Sequence, residues 1–198
     1  MKENKKKMNL PNKLTILRVL LVPVFVACIL YIPNVIVRGL VSAAVFGITA
    51  FTDMLDGKIA RKYNLITNFG KFMDPLADKF MVFGALLAIL VKYDYLRDVF
   101  VWAAAIVMFR ELAVTSIRLI AAGQESLVIA ASWLGKVKTV SQVVCICAII
   151  LEPVVLPFKA FTEWHVLSYA TIAFMIFMTL WSGIDYLKTY WKFIQPTE

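Results

Sequence analysis

The sequence predicts an all-α integral membrane protein, a six-transmembrane-helix bundle with a short N-terminal interfacial helix, and three observations carry that reading. Of 198 residues, 61% are hydrophobic and the mean hydropathy is +0.79, more apolar material than one soluble domain of this length needs for its core. The apolar residues gather into six runs, each close to the roughly 20 residues that cross a hydrocarbon core. The formal net charge of +8 is concentrated in the segments that flank those runs, as in multi-pass proteins.

Taken in order, Lys2, Lys5, Lys6 and Lys7 lead to Asn9-Leu10-Pro11-Asn12, which reads as a break between a basic interfacial helix and the first span. The first run is too long for a signal peptide and ends in no small-residue cleavage pattern, so it is read as a retained span. The spans are expected at about Leu10–Ile32, Val35–Leu55, Thr67–Val91, Val99–Ala122, Leu134–Leu156 and Trp164–Leu187. Turn residues mark the joins: Pro33-Asn34, Lys62–Asn64, Lys92–Asp98, Ala122-Gly123-Gln124 and Glu152-Pro153. No internal repeat breaks the chain, so residues 1–198 are expected to form one membrane domain.

An even number of spans puts both termini on one side. The N-terminal lysines, the second connection with Lys58, Arg61 and Lys62, and the C-terminal Lys188 and Lys192 make that side cytoplasmic. The positive charge thus follows topology and anionic membrane lipid, and no nucleic acid is needed to explain it. Cys28, Cys145 and Cys147 lie inside apolar runs and read as packing residues. His165, beside Trp164, reads as an interfacial anchor. Gly39, Ala43 and Gly47 give the second span a smooth face for another helix.

Four carboxylates stand out against this background: Asp53, Asp56, Asp74 and Asp78. A carboxylate near the bilayer core costs about 2.5–3.5 kcal/mol, so four at helix ends call for a compensating partner. Residues three or four apart share a helix face, so each pair can point together, one from the end of the second span and one from the start of the third. Four hard oxygen donors suit Mg²⁺ or Mn²⁺, whereas Zn²⁺ prefers nitrogen or sulfur. Gly57 and Ala60 let a ligand approach the backbone, and Arg61 offers a planar fork for a phosphate.

Residues Asp53–Asp78 match, at every defining position, the signature D-x2-D-G-x2-A-R-x8-G-x3-D-x3-D, whose first glycine is Gly57 and second Gly70. The chain therefore resembles the CDP-alcohol phosphotransferases. That resemblance implies displacement of CMP from a CDP-linked lipid by an alcohol, with Asp53, Asp56 and Asp74 as metal ligands. Asp78 is implied as general base and shared ligand, with two Mg²⁺ or Mn²⁺ ions per active site. Asn12, Thr15 and Arg18 recur every three residues on the first span, and similar positions in the family contact the nucleotide end of the lipid. With Gly57, Ala60, Arg61 and Gly70 they form the expected CDP-lipid site. The resemblance further implies a homodimer in the cell membrane, with the active site at the cytoplasmic face.

Arg110 beside Glu111, Arg118, Lys136 and Lys138 suggest a pocket for a phosphorylated acceptor. Asp74–Lys79, Arg110-Glu111 and Gly135–Thr139 are most similar to family members that use CDP-diacylglycerol and sn-glycerol 3-phosphate. Inositol phosphate, serine and a second phospholipid such as phosphatidylglycerol are the other acceptors open to this chemistry. A cation channel or transporter is the reading from a different class, but an ion path would place acids at several depths.

Overall fold

The computed structural model describes residues 9–63, 67–124, 133–155 and 163–191, without the side chains of residues 54, 60, 61, 71 and 119–124. The interfacial helix expected before Asn9 lies outside the described residues. The elements are α1 (Leu10–Tyr31), α2 (Val35–Lys62), α3 (Asn68–Lys92), a 3-10 turn (Asp94–Leu96), α4 (Arg97–Gln124), α5 (Trp133–Val155) and α6 (Val166–Tyr190). Among the described residues there is no strand.

Five of these helices, all but α3, are long and apolar enough to cross a membrane, so the helical membrane class expected from sequence is what the chain adopts. At 25 residues α3 is about 37 Å long by helical rise, but Lys71, Asp74, Asp78 and Lys79 charge its N-terminal half. Boundaries differ from expectation at three places. Helix α2 runs on past Leu55 to Lys62, because the charged signature residues end its apolar run without ending its helix. Helix α4 continues through the turn expected at Ala122-Gly123-Gln124, and α5 continues through the turn expected at Glu152-Pro153 to Val155, its two ends each within one residue of the expected span. A proline within a membrane helix is tolerated where neighbouring groups satisfy the freed backbone.

The chain divides into two compact units, Met1–Lys92 and Tyr93–Glu198. In the first, α1 packs against both α2 and α3. Its buried face is Pro11, Asn12, Thr15, Arg18, Val22, Phe25 and Ile29, a helical-period stripe that is polar at its N-terminal end and apolar below. Phe25 meets Phe46 of α2 with ring centroids 5.4 Å apart. Ala77, Ala85 and Ala88 are buried on α3, and a Cβ on Gly84 would lie 2.7 Å from Val22 Cγ1. Small residues at the contact are expected where lipid removes the hydrophobic drive and close packing must hold helices together. Lys92 Nζ donates to the Leu30 carbonyl at 3.0 Å, tying the end of α3 to the end of α1.

In the second unit α6 packs against α4 and α5. Glu152, 1% exposed, accepts from the backbone N–H of Leu167 at 2.9 Å and of Ser168 at 3.0 Å and from the Ser168 hydroxyl. An α5 carboxylate thereby satisfies the unpaired first turn of α6. His165, in the left-handed region at φ 48°, stacks on Tyr95 with centroids 3.7 Å apart.

Candidate active site

Helical spacing delivers both aspartate pairs, and α1 ties them together. Arg18 is fully buried, with Nη1 2.7 Å from Asp53 Oδ1 and 2.6 Å from Asp78 Oδ1, and Nη2 paired with Asp56 Oδ2. One turn earlier the Thr15 hydroxyl donates to Asp74 Oδ1 at 2.8 Å. All four signature carboxylates thus converge around two α1 side chains. Asp56 is buried at 6% exposure, while Asp53 and Asp78 are 45% and 55% exposed, so the cluster opens on one side to a ligand. Snorkelling of Arg18 to the interface, the ordinary fate of an arginine near a helix end, does not occur.

Asn12 and Gly70 lie beside this cluster. Thr67 N-caps α3, accepting from Gly70 N at 3.0 Å while its hydroxyl donates to Asn12 Oδ1 at 3.0 Å. A Cβ on Gly70 would sit 3.3 Å from Asn12 Oδ1 and 3.7 Å from Asp74 Oδ2, so glycine keeps the approach to Asp74 clear. Gly57 follows Asp56 in the last turns of α2; the side chains of Ala60 and Arg61 lie outside the described residues.

The donor set is one that a hard divalent cation accepts. Four carboxylates against one guanidinium leave a formal charge of about −3, which two such ions would more than balance. As arranged around Arg18, no group of three or more acidic, histidine or cysteine side chains among the described residues encloses an ion. A divalent ion held by Asp53, Asp56 or Asp78 would compete with the Arg18 guanidinium for their oxygens.

The cations of the second unit are distributed unequally. Lys138, 4% exposed, pairs with Glu111 Oε1, and Arg110 Nη1 lies 3.6 Å from the same oxygen. Arg118 is exposed and donates to the Tyr186 hydroxyl, and Lys136 is exposed at the start of α5.

Residues 8–182 match the family model for CDP-alcohol phosphatidyltransferase. The chain belongs to the CDP-alcohol phosphatidyltransferase family. Full-length relatives agree. A CDP-diacylglycerol–glycerol-3-phosphate 3-phosphatidyltransferase of Bacillus subtilis (strain 168) is 38% identical, over 96% of this chain and 99% of that protein. A protein of the same name from Salmonella typhimurium is 37% identical, over 91% of this chain and 93% of its own length. A probable phosphatidylglycerophosphate synthase of Mycobacterium tuberculosis (strain H37Rv) is 37% identical, over 90% and 80%.

In this phosphatidyltransferase two residues beyond those singled out from sequence shape the described clusters. Thr67 holds Asn12, and its signal was a capping threonine three residues before Gly70. Tyr186 holds Arg118, and nothing in its apolar surroundings marked it out.

Proposed function

We propose that this protein transfers the phosphatidyl group of CDP-diacylglycerol to sn-glycerol 3-phosphate, giving phosphatidylglycerol phosphate and CMP. The observation that carries the reading is similarity along nearly the whole chain to proteins named for that reaction. The convergence of the four signature aspartates supplies it with a site.

Asp53, Asp56, Asp74 and Asp78 would hold the two Mg²⁺ or Mn²⁺ ions. Bound divalent cations neutralise the pyrophosphate and polarise the attacked phosphoryl group. Asp78, half-exposed at the open side, takes the proton of the 1-hydroxyl as its oxygen bonds to the phosphorus that bears diacylglycerol, and the bond to CMP breaks. Asn12, Thr15, Arg18, Gly57, Ala60, Arg61 and Gly70 serve the CDP-lipid. Thr15 and Arg18 do so by way of the carboxylates they hold. Arg118 and Lys136, with Arg110 and Lys138 braced on Glu111, serve the acceptor's phosphate.

The same reading makes residues 1–198 one domain with six spans, since the family match runs through both compact units. In this reading both termini and the active site lie on the cytoplasmic side of the cell membrane, which the flanking lysines support. It also makes the protein a homodimer, tested by light scattering in mild detergent.

Purified protein given CDP-diacylglycerol and a panel of acceptors tests the assignment. CMP and phosphatidylglycerol phosphate are expected with sn-glycerol 3-phosphate. Release of CMP with inositol phosphate or serine, and none with glycerol 3-phosphate, overturns the acceptor.

A further inference from the structure

Tyr186 of α6 is 2% exposed, and a buried tyrosine hydroxyl needs a hydrogen-bond partner. Its partner is the guanidinium of Arg118, an exposed residue of α4. The Arg118 carbon lies 5.1 Å from the Tyr186 ring centroid, and that of Arg110, two turns earlier on α4, lies 5.7 Å from it. One ring, whose faces carry partial negative charge, thus attracts two arginines. Tyr190 stacks on it at 5.5 Å and 27°, fixing its plane. One turn before Tyr186, Gly183 leaves space for the arginine stem: a Cβ there would be 3.3 Å from Arg110 Cγ.

Burial alone would not place an exposed arginine against this ring. A free Arg side chain has many rotamers and loses that freedom on binding an anion. Held by a hydroxyl and a ring face, the Arg118 fork has already lost much of it, which is how preorganisation raises affinity. Among the described residues Arg118 has no carboxylate partner. Arg110 and Lys138 share the carboxylate of Glu111, and two cations on one anion beside the Arg118 fork suit a phosphate dianion.

We propose that Tyr186 is a positioning residue that fixes the Arg118 guanidinium, and braces Arg110, for the phosphate of the acceptor. The proposal rests on the acceptor-phosphate reading of Arg118 given above and adds the residue that makes it effective.

Steady-state kinetics of the full-length enzyme in mixed micelles separates the two. Tyr186→Phe keeps the ring, the volume and the burial, and removes only the hydroxyl. It is expected to raise the KM for glycerol 3-phosphate about tenfold, the size of a hydrogen bond to a charged group, with kcat, the KM for CDP-diacylglycerol and the thermal midpoint unchanged. Tyr186→Leu raises that KM further. Arg118→Ala combined with Tyr186→Phe should bind glycerol 3-phosphate no worse than Arg118→Ala alone, since the tyrosine acts through the arginine. Arg118→Lys, which leaves the buried tyrosine in place, loses the fork and also raises the KM.

If Arg118→Ala raises the KM and Tyr186→Phe does not, the positioning role is overturned while the acceptor reading stands. If Arg118→Ala leaves the KM unchanged, the acceptor reading falls and the proposal with it. Equal losses in both KM values, or a fall in thermal midpoint that accounts for the loss, make Tyr186 a packing residue and overturn the proposal.

Discussion

The Thr15 hydroxyl reaches Asp74 Oδ1 at 2.8 Å, joining α1 to a carboxylate 59 positions later in the chain. The signature that defines the family begins at Asp53, yet a residue outside it orients one of its aspartates. Thr15→Val keeps the shape and removes the donor. We expect about a tenfold rise in the Mg²⁺ concentration needed for half-maximal turnover, the size of one hydrogen bond to a charged group. An unchanged Mg²⁺ requirement would show that Asp74 is oriented without it.

Arg18 is the counter-charge of the cluster. Arg18→Ala leaves Asp56, 6% exposed, without its ion-pair partner, and losing one member of a buried pair costs about 3–5 kcal/mol. The thermal midpoint of the detergent-solubilised variant should drop by many degrees in metal-free buffer. A midpoint equal to that of the wild type contradicts the buried ion cluster.

The aspartates should divide by role. Chelating divalent cations is expected to stop turnover, with Mg²⁺ or Mn²⁺ restoring it. Asp53→Asn and Asp74→Asn should raise the metal concentration required, while Asp78→Asn abolishes turnover but leaves CDP-diacylglycerol binding measurable. Unaltered metal titrations of the first two variants would remove their ligand role.

Gly84→Ala introduces a Cβ 2.7 Å from Val22 Cγ1. A β-branched side chain cannot swing its methyl aside cheaply, so α1 and α3 must separate, at a cost of about 1–3 kcal/mol. Thermal denaturation should register the loss, and Val22→Ala in the same protein should recover part of it. Additive losses in the double variant would place the strain elsewhere.

Much of this was legible because membrane helices are written in long apolar runs. Helix α1 starts at Leu10 and α2 at Val35 as expected, and the aspartate spacing placed both carboxylate pairs on shared faces. The hydropathy run of α2 stops at Leu55 whereas its helix continues to Lys62, since a helix stops only where its hydrogen bonding does; the turn residues expected from Lys62, and not hydropathy, marked that end. The inward direction of Arg18 was legible, because polar groups recurring every three residues on an apolar helix face the bundle interior and Arg18 is buried; its pairing with three of the signature aspartates was not. The Lys138–Glu111 pair joins α5 to α4 across 27 positions, and no local pattern encodes so distant a partner. Tyr186 escaped notice because an aromatic residue in an apolar helix resembles many others until its hydroxyl is seen to hold a cation.

The burial of Arg18 also constrains how the protein is made. Asp56 lies 38 positions downstream and Asp78 lies 60, so during synthesis the first helix leaves the ribosome with an arginine whose partners do not yet exist. Such a charge is costly in lipid, and until α2 and α3 arrive it must stay near water or near the insertion machinery. The first unit can close only after its third helix is made, so its assembly follows insertion, and a truncation ahead of Asp53 would strand a cation in the membrane.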